Sequence, residues 1–324
     1  MRETCVNMVY ELAKLDPRVV FIGSDLSPGL LNKMKEEFPD RFYMEGVYEA
    51  NIIGLAAGLA MEGFIPYVNT IATFITRRCY EQIAVDLCMH NLPVRLIGNG
   101  GGVVYAPLGP THLATEDISI MRALPNMTVV SVSDAEEMKR LMRATLDWPQ
   151  PIYIRLAKGG DEIISDESKG FSIGKIIPMH KTSSDVNVLL ITTGIMTQCA
   201  LKIAKKLEES SVGVTVLHCH TIKPLDTESI LQFSKKADLV ITLEENSLIG
   251  GLGSAITDCL TENLGRDIPL IKRFGLPDRF PDKYGSQAQL LDYFGLNTEN
   301  LLREIEKIIQ ENFTIHSNSL VING

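Results

Sequence analysis

Apolar positions along the chain follow two rhythms: short unbroken runs, and longer stretches where they recur every three or four residues. The runs predict buried strands over 18–23, 42–44, 66–70, 94–98, 129–132, 151–156, 186–193, 213–218, 237–243 and 270–274. Helical spacing predicts helices over 1–15, 49–61, 80–87, 194–209 and 301–309, and others opening near Glu116, Asp134, Pro224 and Gly253. Asp134 with Glu137 three residues on reads as a capping box. Strands alternating with helices predict an α/β fold of doubly wound sheets. The pattern runs twice: one domain over 1–160, a turn-rich linker over 161–185, a smaller domain over 186–312, and a loose tail over 313–324.

One helix departs from the amphipathic rule. From Ile52 to Met61 it reads Ile-Ile-Gly-Leu-Ala-Ala-Gly-Leu-Ala-Met, too apolar and too rich in small residues for a solvated surface. It reads as a buried helix with Glu49 in its first turn, where a carboxylate meets the positive end of the dipole. Ala50, Gly54, Ala57 and Gly58 would let another backbone approach closely, as at a subunit or domain contact. A carboxylate leading into such a helix needs a partner, because burying it unpaired is costly.

Composition and charge narrow the classes. The chain has 324 residues, 45% hydrophobic and 22% charged, enough for the cores of about two domains. A net charge of -9 and the lack of a Lys/Arg cluster argue against a nucleic-acid surface. No apolar run has membrane-spanning length, and the N-terminus lacks a signal-peptide core, so a cytoplasmic protein is expected. The six cysteines form no CxxC pair and read as free buried thiols. Cys219 lies between His218 and His220 at a strand end, where alternation separates it from both and argues against a shared metal.

Candidate chemistry gathers in loops at strand ends. Asp25, followed by Leu26, either caps the next helix or faces a ligand. A strand-to-helix corner carries Phe74 with Arg77 and Arg78. The Gly/Pro-bearing loop 99–111 ends in Gly109-Pro110-Thr111-His112 ahead of Glu116 and Asp117. Lys158 stands at the exit of the first domain. Glu244-Glu245-Asn246-Ser247, with Gly250-Gly251-Leu252-Gly253, reads as a loop serving packing and dimer contacts.

In order and spacing, Gly46-Val47-Tyr48-Glu49-Ala50-Asn51, Thr73-Phe74, Gly109-Pro110-Thr111-His112, Glu116-Asp117 and Met121-Arg122-Ala123-Leu124-Pro125-Asn126 resemble the C-terminal half of transketolase. In the second domain, Ile222-Lys223-Pro224-Leu225-Asp226 and the Glu244 and Gly250 segments extend the resemblance to nearly the whole chain. It is also similar to 1-deoxyxylulose-5-phosphate synthase and to the beta chains of 2-oxo-acid dehydrogenases. The resemblance implies a pyrimidine-binding domain with a mostly parallel sheet, then a smaller mixed-sheet transketolase C-terminal domain. It implies thiamine diphosphate as cofactor and transfer of a two-carbon ketol unit between sugars or sugar phosphates.

Residue by residue, the resemblance gives Glu49 the hydrogen bond to the pyrimidine nitrogen that promotes the imino tautomer. Phe74 would stack on the pyrimidine, Val47 would wedge beneath the cofactor, and Asp25 and Leu26 would line the thiazolium side. His112 would exchange protons with substrate oxygens. Arg77 matches a substrate-binding arginine of the deoxyxylulose-phosphate synthases, and Lys158 an arginine for sugar phosphate. As local alternatives, Phe74 fits a core aromatic, His112 a loop histidine, and Arg77 and Lys158 solvated surface charges.

Three departures carry weight. Gly100 stands where transketolases have a histidine, and Leu108 where they have an acid that contacts a substrate hydroxyl. Those changes point to a modified or deoxy sugar, or a different ketol donor. The Gly-Asp-Gly stretch with a downstream Asn, which holds Mg2+ and the diphosphate in the family, is not found here. The resemblance therefore implies an N-terminal partner subunit that holds the metal, in an α2β2 assembly. The rival readings are a deoxyxylulose-phosphate-synthase-like carboligase and a 2-oxo-acid dehydrogenase beta subunit.

Overall fold

A computed structural model describes residues 1–24 and 29–313. In the first half, α1 (Arg2–Leu15), β1 (Val19–Gly23), α2 (Asn32–Glu37), β2 (Phe42–Met44), α3 (Glu49–Met61), β3 (Ile65–Ile71), α4 (Ala72–Thr76) and α5 (Tyr80–Gln82) follow one another. A π-helical stretch, Ile83–Met89, leads on to β4 (Arg95–Asn99), α6 (Asp117–Ala123), β5 (Thr128–Ser131), α7 (Ala135–Thr145) and β6 (Ile152–Leu156). The second half holds β7 (Ile177–Lys181), β8 (Asn187–Thr192), α8 (Met196–Glu209), β9 (Gly213–His218), β10 (Thr221–Lys223) and α9 (Thr227–Ser234). It closes with β11 (Leu239–Ser247), α10 (Leu252–Leu264), β12 (Leu270–Leu276), α11 (Gln287–Tyr293) and α12 (Thr298–Asn312).

The first sheet runs β10-β5-β6-β4-β3-β1-β2 and is parallel except for β10. The second runs β12-β11-β8-β9-β7 and is parallel except for β7. The strands β1, β4, β5 and β6 are buried along their whole length, as sheets with helices on both faces require. One apolar core joins Ile52, Leu96 and Val129 to Leu189, Leu217, Ile222 and Leu252, so the two sheets share it.

Several expectations need correction. Residues 244–247 are not a loop: they continue β11, and the carboxylate of Glu244 caps α10 through the N–H groups of Leu252 (2.7 Å) and Gly253 (2.8 Å). A Cβ on Gly251 would come within 2.1 Å of that carboxylate, so only glycine fits there. The stretch 161–185 carries β7, and Thr221–Lys223 crosses back to pair with β5. Such long-range pairings leave no period in the sequence. Asp134 does cap α7, accepting from the Glu137 N–H at 2.8 Å. The capping box is incomplete, because Glu137 turns to the N–H and Oγ of Ser133 and to His218 Nε2 at 2.9 Å. Tertiary burial wins there over the local cap.

That last pairing sets a pH dependence. Burial opposes ionisation of Glu137, but the charge and hydrogen bond of His218 overcome it and take the carboxyl down to about 2. Burial pushes His220 down to about 4 and Glu244 up to about 7. The Glu137 contribution is complete above its unfolded value of about 4.5 and is lost as pH falls toward 2. The His220 contribution is lost as pH falls from about 6.5 to 4. Glu244 acts in the opposite sense, losing stability as pH rises from about 4.5 to 7. Urea unfolding should therefore show His220 offsetting the raised carboxyls between about pH 4.5 and 6.5, and a steep loss below. In His220→Asn the slope of the raised carboxyls Glu244 and Glu245 should no longer be offset, with stability falling more steeply than in wild type as pH rises toward 7. A variant slope no steeper than that of wild type would refute this balance.

Candidate active site

The parallel strands β1, β3, β4 and β6 end along one edge of the first sheet, and the loops that follow bring candidate side chains to it. Beneath the edge, Asn99 Nδ2 donates to Asn69 Oδ1 at 2.7 Å and to the Thr70 carbonyl at 2.9 Å, so the β3 and β4 ends are locked together.

Glu49 is the first residue of α3 and only 3% exposed. The partner it needs is Arg78, whose Nη1 donates to Glu49 Oε2 at 2.7 Å. The Arg78 guanidinium also lies over the Phe74 ring, 4.2 Å from its centre. Phe74 sits in α4, half-buried, and His112 meets it edge-on with ring centres 5.2 Å apart. His112 ends a 3-10 turn, Pro110–His112, and its Nδ1 is 2.9 Å from Thr111 Oγ1. The turn depends on Gly109, which has φ 79° and would place a Cβ 2.5 Å from the Tyr284 ring. Glu49, Phe74 and His112, far apart in sequence, are thus brought together.

The other candidates are placed differently. Arg77 pairs with Glu116 and donates to the Leu113 carbonyl, so it braces the His112 loop. Val47 is 62% exposed, its side chain turned away from the core of its own chain. Lys158 is exposed beyond the end of β6, and among the described residues no hydrogen bond or ion pair joins it to the cluster. Asp25 and Leu26 lie outside the described residues. Cys79, next to Arg78, is a buried thiol pushed up to about 12 by burial and by the charge of Glu49, so it is no nucleophile.

Sequence reasoning missed the role of Arg78. The signal was present: a buried acid needs a cation, and a tandem Arg77-Arg78 stands at the facing corner. It also missed the brace behind the site. Asp117, at the start of α6, accepts from Arg155 Nε at 2.8 Å and from the Tyr153 hydroxyl at 2.7 Å. Arg155 reaches on to the Glu245 carbonyl in the second sheet at 2.6 Å.

A flat group that stacks on Phe74 and shares a hydrogen-bonded proton with Glu49 is what these two residues accept. The Arg78 guanidinium does so as a donor, and a pyrimidine nitrogen would do so by accepting from the protonated carboxyl or, in the imino form, donating to it. The residues therefore fit an aminopyrimidine. Among the described residues no cluster of three or more His, Cys, Asp or Glu side chains placed to hold a metal occurs.

Comparison with known proteins identifies the family. The family "Transketolase, pyrimidine binding domain" matches residues 1–160, and "Transketolase, C-terminal domain" matches 179–301. The 6-deoxy-6-sulfo-D-fructose transketolase subunit SqwH of Clostridium sp. (strain MSTE9) is 35% identical over 96% of this chain and 94% of its own. The 1-deoxy-D-xylulose-5-phosphate synthase 1 of Geobacter sulfurreducens is 34% identical over 92% of this chain, which spans 46% of that protein. A solved structure described as a split gene transketolase, inactive beta4 tetramer, superposes with a TM-score of 0.86 at 31% identity, covering 95% of this chain and 98% of the other. Two matched domains, a full-length likeness to a separate transketolase subunit, and Glu49, Phe74 and His112 meeting at one sheet edge lead to one conclusion: this chain belongs to the transketolase family.

Proposed function

We propose that the chain is the C-terminal, beta subunit of a split transketolase, a transferase moving a two-carbon ketol unit between sugar or sugar-phosphate substrates. The observation that carries this is the meeting of Glu49, Phe74 and His112 at the carboxyl edge of the parallel sheet. When bound, thiamine diphosphate supplies the reactive carbon that takes up and passes on the ketol unit. Glu49 would hold its pyrimidine by a hydrogen bond at the carboxylate, exchanging a proton there, and Phe74 would carry the ring face. Thr111 occupies His112 Nδ1, which leaves Nε2 to give or take a proton at a substrate oxygen. Asp25, Leu26 and Val47 would complete the cofactor wall, and Lys158 would meet a substrate anion as a point charge.

The remaining parts come from an N-terminal subunit that holds Mg2+ and the diphosphate, in an α2β2 assembly in the cytoplasm. A bare helix face supports this. On α3, Gly54 and Gly58 face open space, and Val47, Tyr48 and Met61 are exposed beside them. A related structure made of beta chains alone is described as inactive, which fits a site completed by another subunit. Arg77, the residue that favoured a deoxyxylulose-phosphate-synthase-like reaction, is tied to Glu116 and Leu113, so transketolase chemistry is the better supported.

The test is to assemble the chain with its N-terminal partner, thiamine diphosphate and Mg2+. The panel is fructose 6-phosphate, xylulose 5-phosphate, a 6-deoxy-6-sulfo ketose, pyruvate with glyceraldehyde 3-phosphate, and pyruvate with lipoamide. Ketol transfer from a ketose, by the mixture and not by either chain alone, is expected. Turnover of pyruvate only would overturn the assignment in favour of one of the two rival reactions.

A further inference from the structure

Arg78 makes both contacts that the proposed function gives to a pyrimidine. It donates to Glu49 Oε2 at 2.7 Å and stacks on Phe74 at 4.2 Å. A guanidinium is planar, delocalised and rich in N–H donors, so it can imitate a flat nitrogen heterocycle. Only the face of Phe74 turned toward Glu49 can carry a ring that also bonds that carboxylate. Arg78 covers this face, and a second planar group cannot share it. We propose that Arg78 is a built-in surrogate for the aminopyrimidine: it keeps Glu49 and Phe74 in register and swings out when the ring enters. The inference rests on the reading of Glu49 and Phe74 as the pyrimidine site.

The surroundings make the exchange feasible. Arg78 lies in the turn between α4 and α5, and its side chain is 46% exposed where that of Glu49 is 3% exposed. The carboxylate is fixed, while the arginine can move its head into water on a flexible stem. An ion pair open to solvent on one side holds weakly, and so does a single cation–π contact. Arg77 cannot replace it, being held by Glu116 and the Leu113 carbonyl. Arg78 thus satisfies a buried acid that has no other side-chain hydrogen bond or ion pair among the described residues, and any pyrimidine ligand must compete with it.

Thiamine is the probe, added at millimolar concentration to the full-length chain, with binding followed by saturation-transfer and chemical-shift NMR. Arg78→Ala should bind thiamine about tenfold more tightly than wild type, equivalent to about 1.4 kcal/mol. Arg78→Lys, which keeps the charge but loses the flat fork, should fall between them. Added methylguanidine should weaken thiamine binding to Arg78→Ala by refilling the slot, an effect that a merely structural role would not produce. Equal, weaker or undetectable binding by Arg78→Ala would overturn the proposal. Phe74→Ala and Glu49→Gln, made in the Arg78→Ala background, separate the two ideas. If they weaken binding while Arg78→Ala fails to strengthen it, the pyrimidine site stands and only the surrogate falls. If neither matters, the site assignment falls and the surrogate with it.

Discussion

Glu49→Gln should lower kcat of the assembled enzyme by roughly 10²–10⁴-fold, the usual range for losing a positioned proton-transfer group. The change keeps the volume and one hydrogen-bonding oxygen but removes the exchangeable acid. Glu49 is 3% exposed, so no water can take over at that atom. The side chain heads α3 and contacts Arg78, so fold and assembly should survive the substitution. The loss should fall mainly on kcat, with a smaller change in substrate KM, because Glu49 meets the cofactor rather than the sugar. Steady-state kinetics at saturating cofactor, checked against partner binding, would decide. Turnover within a factor of about three of wild type would remove Glu49 from the proton-transfer role, since that is less than 1 kcal/mol of barrier.

Asp117→Ala should cost about 3–5 kcal/mol of stability, the usual consequence of stranding one half of a buried ion pair. The side chains of Arg155 and Asp117 are 6% and 0% exposed, so water cannot reach the orphaned guanidinium. Burial works against the charge of Arg155, but Asp117 and Glu245 outweigh it and raise its pKa above the usual value. The Tyr153 hydroxyl would lose its acceptor as well. Thermal unfolding should move down by roughly 10 °C, at about 2–4 °C per kcal/mol for a chain near this size. The double replacement Asp117→Leu with Arg155→Met should recover part of the loss, because the pair leaves together, while Glu245, buried beside Arg155, keeps only the Val103 N–H and Gln287 as partners. A single-variant loss below about 1 kcal/mol would show that the pair is not desolvated as the structure has it.

These residues also show what could be read early. The parallel strands of both sheets were legible because buried parallel strands are continuous apolar runs, whereas the two antiparallel strands, β7 and β10, were not. The Glu49 helix was legible from its run of small and apolar residues, but this chain buries only one side of it and leaves Gly54, Gly58 and Met61 exposed. Arg78 was overlooked for its neighbour because two adjacent cations are equivalent in a sequence. Only the backbone direction at the α4–α5 turn sends one to Glu49 and the other to Glu116. Glu244 and Glu245 read as loop because two acids look out of place in a strand. Their carboxylates are met by the start of α10 and by Val103 N–H with Gln287, partners that sequence distance conceals.

By itself the sequence determined the periodic features of this protein: two α/β units, the order of their parallel strands and longer helices, and which strand ends lead to an acid, an aromatic ring and a histidine. Each depends on spacing between near neighbours, and spacing is visible in one dimension. The tertiary structure decided the pairings: Arg78 with Glu49, Arg155 with Asp117, Glu137 with His218, and Thr221–Lys223 beside β5. Each joins groups that desolvation forces to find a partner, and which partner lies within reach is settled only when the strands have taken their order in the sheet.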